Sequence, residues 1–106
     1  MLKPFFIRVE RALIKIHPEK VVGLQTVGNY TKIYVDNDTF YMTRASLATA
    51  LKKMPADMFI KINRSYAISI NHIIEIHRDM VRVGDIYLPI TKQHYKMALE
   101  KLIILE

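Results

Sequence analysis

Val21-Val-Gly-Leu-Gln-Thr-Val-Gly-Asn-Tyr-Thr-Lys-Ile-Tyr-Val-Asp-Asn-Asp-Thr-Phe-Tyr-Met-Thr43 decides the fold of this chain. The stretch is rich in β-branched and aromatic residues and is broken at Gly28-Asn29 and at Asp36-Asn37-Asp38. It therefore reads as three strands, Val21 to Thr26, Tyr30 to Val35 and Thr39 to Thr43, joined by turns whose residues favour tight reversal. Along Tyr30 to Val35 the side chains alternate. Thr31, Ile33 and Val35 share one face and Tyr30, Lys32 and Tyr34 the other, so one face is available for a core and the other for function.

Upstream, Phe5 to Val9 and Ala12 to Ile16 are two more strand-length runs, punctuated at His17-Pro18, and the five strands together suggest an antiparallel meander. Downstream, Leu47, Leu51 and Met54 recur at helical spacing. They predict a short helix opening at Arg44, with Thr43 as a candidate N-cap and Pro55 just past its end. The strand pattern resumes in Phe59 to Ile62, Tyr66 to Ile70, Ile73 to His77, Met80 to Val83 and Ile86 to Leu88, with Asp79 and Gly84-Asp85 as turn signals. A closing helix is expected over Lys92 to Ile103, capped by Thr91 and marked by Tyr95, Leu99, Leu102 and Ile103. Strands and helices do not alternate as a parallel βαβ fold requires, and no fixed-period repeat is present. The expected class is mostly β (α+β): antiparallel β-strands in small sheets, a short central helix and a C-terminal helix.

At 106 residues, half apolar and a quarter charged, the chain suits one domain, 1–106, with one hydrophobic core. Sixteen Lys and Arg against ten Asp and Glu give a formal charge of +6, which favours polyanionic partners without naming one. The absence of cysteine excludes disulfides and thiolate zinc sites and suits a reducing, cytoplasmic setting. No apolar run approaches the ~20 residues needed to cross a bilayer, and Lys3 interrupts the N-terminus too early for a signal peptide. No membrane role is expected.

The densest polar cluster within the strand-rich region lies in Phe59-Ile-Lys-Ile-Asn-Arg-Ser-Tyr-Ala-Ile-Ser-Ile-Asn71, where Lys61, Asn63, Arg64, Ser65 and Ser69 interrupt an apolar background. Lys and Arg neutralise phosphates, Asn and Arg can pair bidentately with base edges, and Ser hydroxyls bond phosphate oxygens. Asn63, Arg64 and Ser65 equally suit a solvated turn between two strands. Tyr30 has the same two readings, a functional side chain or a ring that covers the sheet. Lys52 and Lys53 meet the dipole at a helix C-terminus, and Lys96 and Lys101 suit a solvated helix face. His17, His72, His77 and His94 lack metal-ligand spacing, and no glycine-rich phosphate loop, nucleophile elbow or paired carboxylates occur. Neither a metal, a cofactor, a small-molecule substrate nor a catalytic role is expected.

The run Phe59 to Asn71, followed by His72-Ile73 and by Leu88-Pro89-Ile90-Thr91-Lys92, resembles the LytTR DNA-binding domain of bacterial transcription regulators. Val22-Gly23-Leu24-Gln25-Thr26-Val27-Gly28-Asn29-Tyr30 resembles that family's Gly-Asn-Tyr strand, and Arg44-Ala-Ser-Leu47 the opening of its short helix. The likeness spans about residues 5–103. Gln25, Asn63, Ser69 and Lys92 stand where the family commonly has Glu, His, Asn and Arg. An ammonium cannot reproduce the planar fork that reads guanine, so Lys92 is open to a base-reading or a phosphate-binding role.

The resemblance implies a compact, mostly β domain whose loops reach into the grooves of duplex DNA. It puts the DNA-facing positions at Asn29 and Tyr30, at Asn63, Arg64 and Ser65, and at Thr91, Lys92 and Gln93. It also implies a transcription factor acting at promoters, on direct repeats, as the effector of a two-component response regulator. The partners it implies are a receiver domain, absent from these residues, or a second copy on DNA. A protein-interaction module that docks a partner through its strand edges, with incidental basic charge, is the alternative reading.

Overall fold

The computed structural model describes residues 2–36, 38–55 and 57–106. Five strands form the central sheet in the order β5-β4-β3-β7-β6: β3 is Val21–Val27, β4 Tyr30–Val35, β5 Thr39–Thr43, β6 Phe59–Lys61 and β7 Tyr66–Ser69. All its neighbours are antiparallel. A hairpin of β1 (Phe5–Val9) and β2 (Ala12–Ile16) forms a separate two-stranded sheet. A second meander, β8 (Ile73–Ile76), β9 (Met80–Val83) and β10 (Ile86–Pro89), forms a three-stranded sheet. The helices are α1 (Leu47–Lys53) and α2 (Lys92–Leu99). The mostly β class with small antiparallel sheets and two helices is thus what the chain adopts.

The central sheet is covered on both faces. Leu24 pairs with Ile33, Ile33 with Tyr41, and Leu24 with Ala67, so these side chains share one face. They pack with Ile7 and Ile16 of the hairpin and with Leu47 and Met54 of α1. The opposite face presents Ile60 and Ile68, covered by Val81 of the three-stranded sheet and by Ile90 and Ala98 at and within α2. Leu24, Ile33, Ile60 and Val81 are essentially without solvent contact, and each such side chain contributes about 1.5–3 kcal/mol by leaving water. Gly23 lies where β7 crosses closest: a Cβ there would stand 3.0 Å from both the Ala67 carbonyl oxygen and Ile68 Cδ1.

Several sequence-based expectations move. The meander holds for β3 to β5 alone. The chain folds back through the Pro18–Lys20 turn, laying β1 and β2 over the face of the sheet instead of extending it. Thr43 is not the cap of α1, because it is the last rung of β5, paired with Thr31. Ser46 caps instead, its Oγ accepting from the Thr49 N–H at 3.1 Å. The closing helix stops at Leu99, and Ile103 is 96% exposed. The residue α2 buries is Ala98, whose short side chain lets the helix approach the sheet closely. In the turn Asp36-Asn37-Asp38, Asn37 lies outside the described residues, and Asp38 has a φ of 58°.

Candidate nucleic-acid interface

Antiparallel pairing brings the end of β3, the start of β4, the end of β5, the end of β6 and the start of β7 to one edge of the molecule. Gly28 and Asn29 turn the chain between β3 and β4, closed by the pair Val27 and Tyr30. Gly28 sits at φ 58°, a left-handed conformation that glycine adopts without steric cost. Asn29 is exposed, and Tyr30 is 41% exposed with the Arg44 guanidinium 6.0 Å from its ring centre. Arg44 is held there from below. The buried Thr31 hydroxyl donates to the Ala45 carbonyl at 2.7 Å, fixing the chain as it leaves β5.

The segment 62–65 is an ordered turn organised by one amide. Asn63 Oδ1 accepts from the N–H groups of Ser65 (2.9 Å) and Tyr66 (3.1 Å), while Nδ2 donates to the Pro89 carbonyl at 3.0 Å. The turn is tied to β3 because the Thr26 N–H donates to the Ser65 carbonyl at 2.8 Å. Arg64 projects from it, exposed. The solvated-turn reading of this segment is thus realised in its hydrogen bonds, with Arg64 left over for a partner.

The start of α2 docks beside this turn through the Thr91 N–H, which donates to the Ile62 carbonyl at 3.0 Å. Thr91 caps the helix: its Oγ1 accepts from the His94 N–H at 3.1 Å and lies 2.6 Å from His94 Nδ1. Lys92 and Gln93 occupy the exposed first turn, where the free N–H groups and the helix dipole add partial positive charge. All eight residues expected from sequence therefore come to one end of the molecule. Asn63 and Thr91 give their side chains to the local structure, and Arg64, Lys92 and Gln93 present theirs to solvent.

Residues 26–31, 43–46, 62–66 and 89–94 contain no Asp or Glu, although the chain has ten. The turn between β8 and β9 adjoins this end, with the Ile90 N–H donating to the Asp79 carbonyl at 3.2 Å, and it adds exposed Arg78 beside the exposed Asp79. Arg44 and Arg78 were not singled out from sequence for this edge. The pairing of Thr31 with Thr43 brings Arg44 here, and that pairing is a tertiary fact. Among the described residues no three His, Cys, Asp or Glu side chains are grouped to hold a metal ion. No helix among them is long and apolar enough to cross a membrane.

A family model for the LytTr DNA-binding domain matches residues 3–102. The chain belongs to the LytTR family. A LytTR domain is a DNA-binding domain of transcription regulation rather than a catalytic one. Among solved structures, this LytTR chain is similar to one described as the LytTr DNA-binding domain of a putative methyl-accepting/DNA response regulator from Bacillus cereus. The two share 18% sequence identity at a TM-score of 0.77, over 92% of this chain and 94% of that one, which establishes a common fold. A search of curated proteins returns no match.

Proposed function

We propose that residues 1–106 act as one sequence-specific duplex-binding unit, the effector domain of a two-component response regulator working in the cytoplasm. The observation that carries this reading is the gathering of Asn29, Tyr30, Arg64, Ser65, Lys92 and Gln93 on one edge whose segments contain no carboxylate. Arg64 heads a rigid turn, as a side chain meant to reach into a groove requires, and its guanidinium suits either guanine or phosphate. Lys92, a point charge at a helix N-terminus, suits phosphate. Tyr30 and Asn29 flank the edge as groove or sugar contacts. Asn63 and Thr91 act by position, holding Arg64 and Lys92 in register. A promoter site of direct repeats would be read by two copies, and a receiver domain would supply control. The relative from Bacillus cereus, named as part of a response regulator, supports the regulatory setting.

The test is a fluorescence-anisotropy titration against a randomised duplex pool and then its enriched sequence, at two salt concentrations, with Arg64→Ala in parallel. One sequence should be enriched. Arg64→Ala should cost about 1–3 kcal/mol on the enriched site if the side chain reads a base, or lower the salt slope by about one if it binds phosphate. Salt-insensitive binding, or none, refutes the proposal.

A further inference from the structure

The β1–β2 hairpin hides one face against the central sheet and leaves the other bare. On the bare face Phe6 pairs with Lys15 and Leu13 with Arg8, a two-by-two patch of two apolar side chains and two cations. Phe6 is 54% and Leu13 57% exposed, large values for such residues. Arg8 and Lys15 make no ion pair among the described residues.

A second bare apolar surface lies across the molecule. The three-stranded sheet covers only part of the far face of the central sheet, and beside it runs an open groove of about 880 Å³. Tyr34, Phe40 and Tyr66 line it from the central sheet, and Ile86 and Leu88 from β10. Phe40 is 52% and Ile86 61% exposed. In a chain of net charge +6 this groove is lined by Asp38 and Asp85 and, among the described residues, by no Lys or Arg. His72, also on the lining, is engaged by Asp36 at 3.2 Å. Lys32, on the same face of β4, lies over the Phe40 ring at 4.0 Å and the Tyr34 ring at 4.9 Å, so its ammonium is already occupied by those π-faces.

We propose that the groove receives the bare face of the β1–β2 hairpin of a second copy of this chain, in a head-to-tail contact. Charge decides the occupant: two cations between two apolar side chains on one surface meet two carboxylates among apolar side chains on the other. The two surfaces cannot meet within one molecule, because the hairpin packs on the face of Leu24 and Ile33, whereas the groove opens on the face of Tyr34 and Phe40. A contact between opposite faces of one sheet is heterologous, so it leaves a free hairpin at one end and a free groove at the other.

Neither surface contains any of the eight residues expected to face DNA, and the test needs no DNA. The intact chain is examined by analytical ultracentrifugation over a concentration series, beside two charge variants. Arg8→Glu/Lys15→Glu makes the hairpin acidic. Asp38→Asn/Asp85→Lys makes the groove basic, Asn being chosen because Asp38 sits at a left-handed φ that Asn tolerates. The wild-type chain should associate reversibly, and each variant alone should associate about tenfold more weakly or worse, since like charges then face each other. Mixing the two variants should restore association, because the acidic hairpin fits the basic groove and the native hairpin of the second variant fits the native groove of the first. Circular dichroism confirms that each variant is folded, and Arg8→Gln/Lys15→Gln replaces the first if it is not. A wild-type chain that stays monomeric throughout, a single variant that associates as wild type does, or a mixture without restoration overturns the proposal.

Discussion

Replacing Asn63 by alanine should remove three hydrogen bonds at once. The two accepted by Oδ1 from Ser65 and Tyr66 are partly buried, and the one donated to the Pro89 carbonyl is exposed. At about 0.5–1 kcal/mol net for each of the two sheltered bonds and little for the exposed one, where water substitutes, the loss is about 1–2 kcal/mol. For a domain of this size that corresponds to a fall in Tm of roughly 4–16 °C, taking about 4–8 °C per kcal/mol. Asn63→Asp separates the contributions. Its carboxylate still accepts from both N–H groups but cannot donate to Pro89, so stability should fall less than in Asn63→Ala. Binding to duplex DNA should nevertheless fall at least as far, because a negative charge is placed beside Arg64. Thermal unfolding followed by circular dichroism, with anisotropy titrations on the same preparations, measures both quantities. An Asn63→Ala chain that melts within a degree of wild type would refute the reasoning, since Asn63 would then not organise the turn.

Thr31→Val keeps the buried shape but leaves the Ala45 carbonyl without its 2.7 Å donor, so a loss of about 1–2 kcal/mol is expected in denaturant unfolding, together with weaker DNA binding through a displaced Arg44. Unchanged stability would show that water replaces the hydroxyl. Ser69 is fully buried and its Oγ has no hydrogen-bond partner among the described residues, so Ser69→Ala should be neutral or stabilising by up to about 1 kcal/mol. A clear destabilisation in the same assay would reveal a partner for the hydroxyl.

Much of the local structure was legible because side-chain period and turn chemistry are local properties. Phe5–Val9, Ala12–Ile16, Tyr30–Val35, Thr39–Thr43 and Met80–Val83 begin and end as strands where the pattern placed them. Thr91 caps α2 as its neighbours suggested. The failures fall where a distant partner decides. Thr43 was the expected cap because Thr caps well, but β4 claims it as a strand residue and the cap falls to Ser46. Apolar residues continue at near-helical spacing to Ile103, with no glycine or proline to end the helix. The helix ends where its packing against the sheet ends, just past Ala98.

The sequence alone determined that the chain is mostly β, that its charge of +6 favours a polyanionic partner, and, through motifs in order at the right spacing, that it resembles LytTR domains. It could name Asn29, Tyr30, Asn63, Arg64, Ser65, Thr91, Lys92 and Gln93 one by one, because each sits in a recognisable local motif. Only the tertiary structure decided that β7 pairs with β3 and that Thr91 docks on Ile62, so that three segments spread between Asn29 and Gln93 meet at one edge, since strand order rests on which faces bury together. It also decided the division of labour there. Asn63 is a donor and acceptor in any sequence, but the carbonyl of Pro89, 26 residues away, together with the N–H groups of Ser65 and Tyr66, is what turns it from a free side chain into the one that organises the turn carrying Arg64.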